Sequence, residues 1–75
     1  MKERVYQVVS QVLKVRPEEI QEAHSFTADL GAESVQSIEL MAGFEEAFDI
    51  EMDEDEALRV QNVEGAIDFI ARYVN

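Results

Sequence analysis

In three stretches of this chain the apolar residues recur at the spacing of a helix, and nowhere do they alternate as a strand requires. Val5, Val8, Val9 and Val12 stand at i, i+3, i+4 and i+7, with Tyr6 and Leu13 beside them. A second pattern runs from Ser34 to about Phe48. A third follows Asn62 and carries Val63, Ala66, Ile67, Ile70 and Val74. The 75 residues suffice for one domain, and a domain of that size buries only about 60% of the surface its unfolded chain exposes. No cysteine is present to staple so thin a core, and a single histidine excludes zinc sites that need two imidazoles. The expected fold is all-α: a small four-helix bundle with three main amphipathic helices, one short helix and a long first loop.

The breaks between these patterns have local causes. Valine is a weak helix former, so the first helix must be held by packing. Arg16 precedes Pro17 and is pushed away from helical angles, which places the end of that helix near Val15 or Arg16. Pro17-Glu18-Glu19-Ile20 suits one short helical turn opened by proline. Gln21 to Glu33 shows no period; Phe26 and Leu30 are its expected anchors, Asp29 to Ala32 its closing turn, and His24 a loop brace. Ser34 is an N-cap candidate for the second helix. Asp49 to Met52 is a short link, with Ile50 and Met52 pointing inward. Asp53 opens the short third helix, with Glu56 three residues on and Ala57, Leu58 and Val60 as its apolar side. Asn62 caps the last helix.

The second helix is apolar on two sides. Leu40, Met41, Phe44, Ala47 and Phe48 form a core face, while Val35, Ile38 and Ala42 fall on the opposite side with Glu39, Glu45 and Glu46 around them. A chain this short cannot cover both, so the Val35-Ile38-Ala42 stripe is expected to be an interaction surface.

Charge narrows the partners. Seventeen acids against six bases leave a net charge of −11. Phosphate backbones and anionic membrane surfaces would repel such a chain, so no nucleic acid and no membrane insertion are expected. The longest apolar run is three residues, and we expect a cytoplasmic monomer. From Pro17 to Leu58 there are fourteen acids and no base. Self-repulsion on that scale opposes folding, and solubility alone would tolerate mixed signs, so the acids are read as a docking face for basic partners. The run Asp53-Glu54-Asp55-Glu56 lacks the alternation and central glycine of a calcium loop and better suits the positive end of a helix dipole; no metal site is expected.

Chemistry has few places to reside. In Gly31-Ala32-Glu33-Ser34-Val35 a hydroxyl sits where a glycine turn meets a helix start. A hydrolase nucleophile would need a base, and the lone histidine lies ten residues away in a loop; Gln36 also stands where a nucleophile elbow has its second glycine. No catalytic residue is expected. A plain N-cap remains open, as does attachment of a phosphate-linked group, which the free amides and dipole of a helix start favour.

Asp29-Leu30-Gly31-Ala32-Glu33-Ser34-Val35, then Ile38-Glu39-Leu40, then Phe44-Glu45-Glu46-Ala47-Phe48, resembles acyl carrier proteins of the bacterial fatty-acid-synthase type. Those typically show Asp-Leu-Gly-Ala-Asp-Ser-Leu, Val-Glu-Leu and an acidic helix ending in phenylalanine. Ser25-Phe26, Asp53 to Ala57 and Val63 to Ile70 also fall at familiar spacings, so residues 1–75 read as one acyl carrier domain. The resemblance implies a helical bundle that is not itself an enzyme. It implies that Ser34 bears 4′-phosphopantetheine, added from coenzyme A by a phosphopantetheinyl transferase, whose thiol holds acyl groups as thioesters for fatty-acid or polyketide biosynthesis enzymes with basic docking patches. It implies that Glu33, Val35, Ile38, Glu39, Ala42, Glu45 and Glu46 meet those partners. Glu33 and Val35 replace the family's usual aspartate and leucine on the face that partners read, and Ala42 and Gly43 are small for the common pattern, which implies a specialised carrier, with a polyketide-type one as the near alternative; Ala32 argues against a peptidyl one. Gly43, costly in mid-helix, implies either close helix packing or, with Leu40 and Ala47, room for an acyl chain against the Ile50–Val60 region. The reading from another class is an acidic helical adaptor that binds proteins and leaves Ser34 an unmodified cap.

Overall fold

The computed structural model describes residues 1–74. Four helices follow in order: α1 (Lys2–Leu13), α2 (Ser34–Phe48), α3 (Glu54–Ala57) and α4 (Val63–Val74), with a 3-10 turn at Pro17–Glu19. Packing follows the stripes. Val5 and Val9 of α1 meet Val63 and Ile70 of α4 in the centre, all four fully buried, with Leu40 and Phe44 of α2 beside them. The expected bundle is thus present, and among the described residues no strand forms beyond a single bridge between Ser25 and Asn62.

The long loop is ordered because its backbone is satisfied twice over. Phe26 and Ile20 are buried, and Leu30 packs half-buried against the same core. Phe26 N–H donates to Gln61 O at 2.9 Å, Val63 N–H to His24 O at 3.1 Å and Glu64 N–H to Glu22 O at 2.9 Å, which lace the loop to the start of α4. Within the loop the Asp29 carboxylate accepts Ser25 N–H at 2.7 Å, and Ala32 N–H donates to Phe26 O at 2.7 Å. His24 braces it as expected, its Nδ1 accepting Gln21 N–H at 3.1 Å. Gly31 turns the chain into α2 at φ 74°, a conformation that glycine alone adopts without steric cost. Lys2 pairs with Glu22 at 2.6 Å and ties α1 to this loop. That hydrogen bond, and secondarily the carboxylate's charge, holds the Lys2 ammonium above its ordinary 10.5, so the lysine's side of the tie persists at neutral pH and is lost as pH climbs through the raised value.

Several expectations are corrected. The first helix ends at Leu13, two residues before Val15, because Lys14 turns left-handed (φ 60°, ψ 38°) and Ser10 Oγ donates to Val15 O at 2.5 Å. In α4, Phe69 is buried although it lies outside the stripe drawn from the sequence, and Val74 is exposed. Leu58 is 53% exposed, because α3 is too short to turn both Ala57 and Leu58 inward. Gly43 faces α1: a Cβ there would sit 2.8 Å from Val8 Cγ1, so close helix packing explains this glycine.

Lys14 offers a direct test of the new α1 terminus. Left-handed angles cost an L-residue about 1–2 kcal/mol, while glycine loses roughly 0.5–1 kcal/mol of that advantage through its floppier unfolded chain. Lys14→Gly should therefore stabilise the fold by about 0.5–1 kcal/mol, read as a higher melting temperature; a lower one would show that Lys14 holds the terminus by some other means.

Candidate functional site

Ser34 is the first residue of α2 rather than its cap. Glu33 takes the cap position, with extended angles, and forms a capping box with Gln36, whose Oε1 accepts Glu33 N–H at 2.9 Å. The cap expected at Ser34 is thus corrected by one residue: Glu33 holds the cap position, its N–H tied to Gln36, and the serine hydroxyl is left unused. The chain has four serines. Ser10 donates to Val15 O, Ser25 accepts Ala28 N–H, and Ser37 reaches Glu33 O at the 3.5 Å limit of a hydrogen bond. Ser34 is exposed, and among the described residues its hydroxyl has no hydrogen-bond partner.

Along α2 the stripe expected to lie open does so. Val35 is 59% exposed and Ile38 56%, and Ala42, one turn further on, is also exposed. Glu33, Glu39 and Glu46 are exposed on this helix, and no base stands among them. Glu45 differs: it is half-buried, and its carboxylate accepts Met52 N–H at 2.8 Å. Part of its role is therefore internal, which helical spacing could not reveal, because the hydrogen bond depends on where the chain returns after α2.

On its other side α2 borders a cavity of about 370 Å³ enclosed with α3, α4 and the loop. Leu40, Phe44, Phe69 and Ile70 form its buried walls; Ser37, Met41 and the exposed Leu58 stand nearer the mouth. The room expected beside Leu40 and the Ile50–Val60 region is there, lined by Leu40, Met52, Ala57, Leu58 and Val60, but Gly43 and Ala47 do not line it. Ser37 is missing from the residues singled out in the sequence, and Met41, read there as core, is only half-buried and lines the cavity. Ser37's place three residues after Ser34, on the same side of the helix, is the signal that could have found it.

Among the described residues no cluster of acidic or histidine side chains is placed to hold a metal ion, and no helix is long and apolar enough to cross a membrane. What remains is a free hydroxyl at a helix start, flanked on one side by an acidic apolar stripe and on the other by the mouth of a greasy cavity. Among the described residues no base is hydrogen-bonded to this hydroxyl.

The family model for the phosphopantetheine attachment site matches residues 3–70, and the chain belongs to that family. As a member of that family it is a carrier that bears 4′-phosphopantetheine covalently and is not itself an enzyme. Among solved structures, one from Mycobacterium tuberculosis described as an acyl carrier protein superimposes with a TM-score of 0.87. It is 22% identical to this chain over 95% of each, a likeness of fold.

Proposed function

We propose that Ser34 is the attachment residue for 4′-phosphopantetheine and that this single carrier domain, acting as a monomer in the cytoplasm, delivers acyl intermediates to fatty-acid or polyketide biosynthesis enzymes. The observation that carries this reading is the free Ser34 hydroxyl: the other three serines are engaged with the backbone, and this one is exposed at the first turn of α2. When bound, the group supplies a thiol on which an acyl chain is held as a thioester.

The chain's own residues support that role in three ways. The first amides of a helix have no partner within it, and their dipole favours a phosphodiester on the adjoining oxygen. Val35, Ile38 and Ala42 offer apolar contact to a partner, and Glu33, Glu39 and Glu46 draw its basic patch into register. The cavity under α3 gives an acyl chain a place out of water, where each methylene buried stabilises the complex by up to about 0.8 kcal/mol.

Incubating the unmodified protein with coenzyme A and a phosphopantetheinyl transferase should add one phosphopantetheine by intact mass. An unchanged mass with several transferases would overturn the reading in favour of an unmodified adaptor. For the docking face, Glu39→Lys should slow association with a basic partner enzyme, with the difference shrinking as salt rises because long-range steering is screened. Equal association rates for wild type and variant at low salt would remove this face from the account.

A further inference from the structure

The roof of the cavity is the segment 52–60, which packs against the core through Met52 and Val60 and has no fully buried side chain. Helix α3 is four residues long and has no buried side chain; Met52, Ala57 and Val60 are only half-buried, and Leu58 is exposed. Glu51 and the consecutive acids Asp53 to Glu56 repel one another, and none of them forms an ion pair among the described residues. The Asp53 carboxylate caps α3 internally by accepting Glu56 N–H at 3.0 Å, which shapes the helix without attaching it to anything.

Attachment comes from two consecutive amides at the hinge. Met52 N–H donates to Glu45 Oε2 of α2 at 2.8 Å, and Asp53 N–H donates to the Tyr73 hydroxyl of α4 at 3.1 Å. Tyr73 is in turn held edge-on against Phe69, ring centroids 5.2 Å apart, and Phe69 is a wall of the cavity. The hinge of the roof is thus gripped from both helices that the roof spans.

We propose that Glu45 and Tyr73 are positioning residues that clasp the Met52–Asp53 hinge and so set how far the cavity opens to an acyl chain. This rests on the reading that the cavity holds the cargo. Glu45 acts here through an oxygen that accepts a hydrogen bond, whereas a docking role would use its charge. Glu45→Gln keeps an acceptor and loses the charge, so it separates the two.

The test has two arms on the same variants: Tyr73→Phe, Glu45→Ala and Glu45→Gln. The first arm is amide hydrogen exchange on the unloaded protein, which needs no cargo. Losing a neutral hydrogen bond should speed exchange across residues 52–60 about 2- to 10-fold in Tyr73→Phe, and losing a charge-assisted one roughly 10-fold or more in Glu45→Ala. Glu45→Gln, which keeps a neutral acceptor, should fall between wild type and Glu45→Ala, and α1 should exchange equally in all. The second arm loads butyryl, octanoyl and dodecanoyl thioesters and times their cleavage by hydroxylamine. Wild type and Glu45→Gln should protect the longer chains, and Tyr73→Phe and Glu45→Ala should lose that protection. Unchanged exchange in both of those variants, with wild type still sheltering octanoyl, overturns the clasp alone. Cleavage independent of chain length in wild type overturns the cargo reading, and with it the clasp's role, even where exchange responds.

Discussion

Ser34→Ala abolishes the phosphopantetheine mass gain completely and leaves the melting temperature almost where it was. The two halves of this expectation have separate grounds. Loss of loading follows from chemistry, since alanine has no oxygen to form the phosphodiester. The small stability change follows from the geometry: Ser34 is exposed and unpartnered, the helix start is closed by Glu33 and Gln36, and alanine is the better helix former. A change within about 0.5 kcal/mol is expected, as for surface positions generally. Had Ser34 been the cap, the cost would be about 0.5–2 kcal/mol. Intact mass and thermal denaturation of the same sample read both halves. Ser37→Ala serves as the control and should load normally. An alanine variant at position 34 that still gains the mass would place the attachment elsewhere, and one that melts far lower would return Ser34 to the cap.

The largest stability effect is expected at Gly43. Alanine in place of a mid-helix glycine ordinarily gains about 1 kcal/mol, but here the new Cβ would lie 2.8 Å from Val8 Cγ1 and 3.8 Å from Val12 Cγ2. Overpacking of this kind costs about 1–3 kcal/mol, so Gly43→Ala should be neutral to destabilising by about 2 kcal/mol. Gly43→Leu drives three more carbons into the α1–α2 contact and should leave little or no folded protein, since a domain of this size has only a few kcal/mol in reserve. Adding Val8→Ala opens the contact and should recover part of the loss in Gly43→Ala, so the two substitutions should be non-additive in a double-mutant cycle. If Gly43→Leu folds as well as wild type and shortens the acyl chain the protein can shelter, the glycine faces the cavity after all.

Much of this protein was legible before any coordinates. The stripes at Val5-Val8-Val9-Val12 and Val63-Ala66-Ile70 predicted amphipathic helices because a period of 3.6 residues puts those side chains on one face whatever they later meet. Gly31 before Glu33-Ser34 marked the turn into α2, since only glycine takes left-handed angles freely. The exposed Val35-Ile38-Ala42 stripe followed from counting: α2 has two apolar faces and too few partners to cover both. All of these are local or one-dimensional properties, and local sterics and periodicity determine them within a few residues.

Whatever depended on a distant part of the chain could not be read that way. Glu33 displaced Ser34 as the cap through a bond to a neighbour three residues away, a competition between two adequate caps that side-chain geometry alone resolves. Gly43's purpose lay in Val8, thirty-five positions earlier, and Glu45's second task in the path the chain takes after Asp49 turns left-handed at φ 55°. Tyr73 drew no reading from the sequence, and its part emerges only where its hydroxyl accepts Asp53 N–H, twenty residues back. The helices were thus determined by the sequence alone, because their causes are near neighbours, whereas Ser34 was named as the proposed attachment residue through a resemblance. The cavity, its walls and the clasp on its roof were decided only by the tertiary structure, because a cavity is the space left when separate elements have packed, and no residue carries that space in its own spacing.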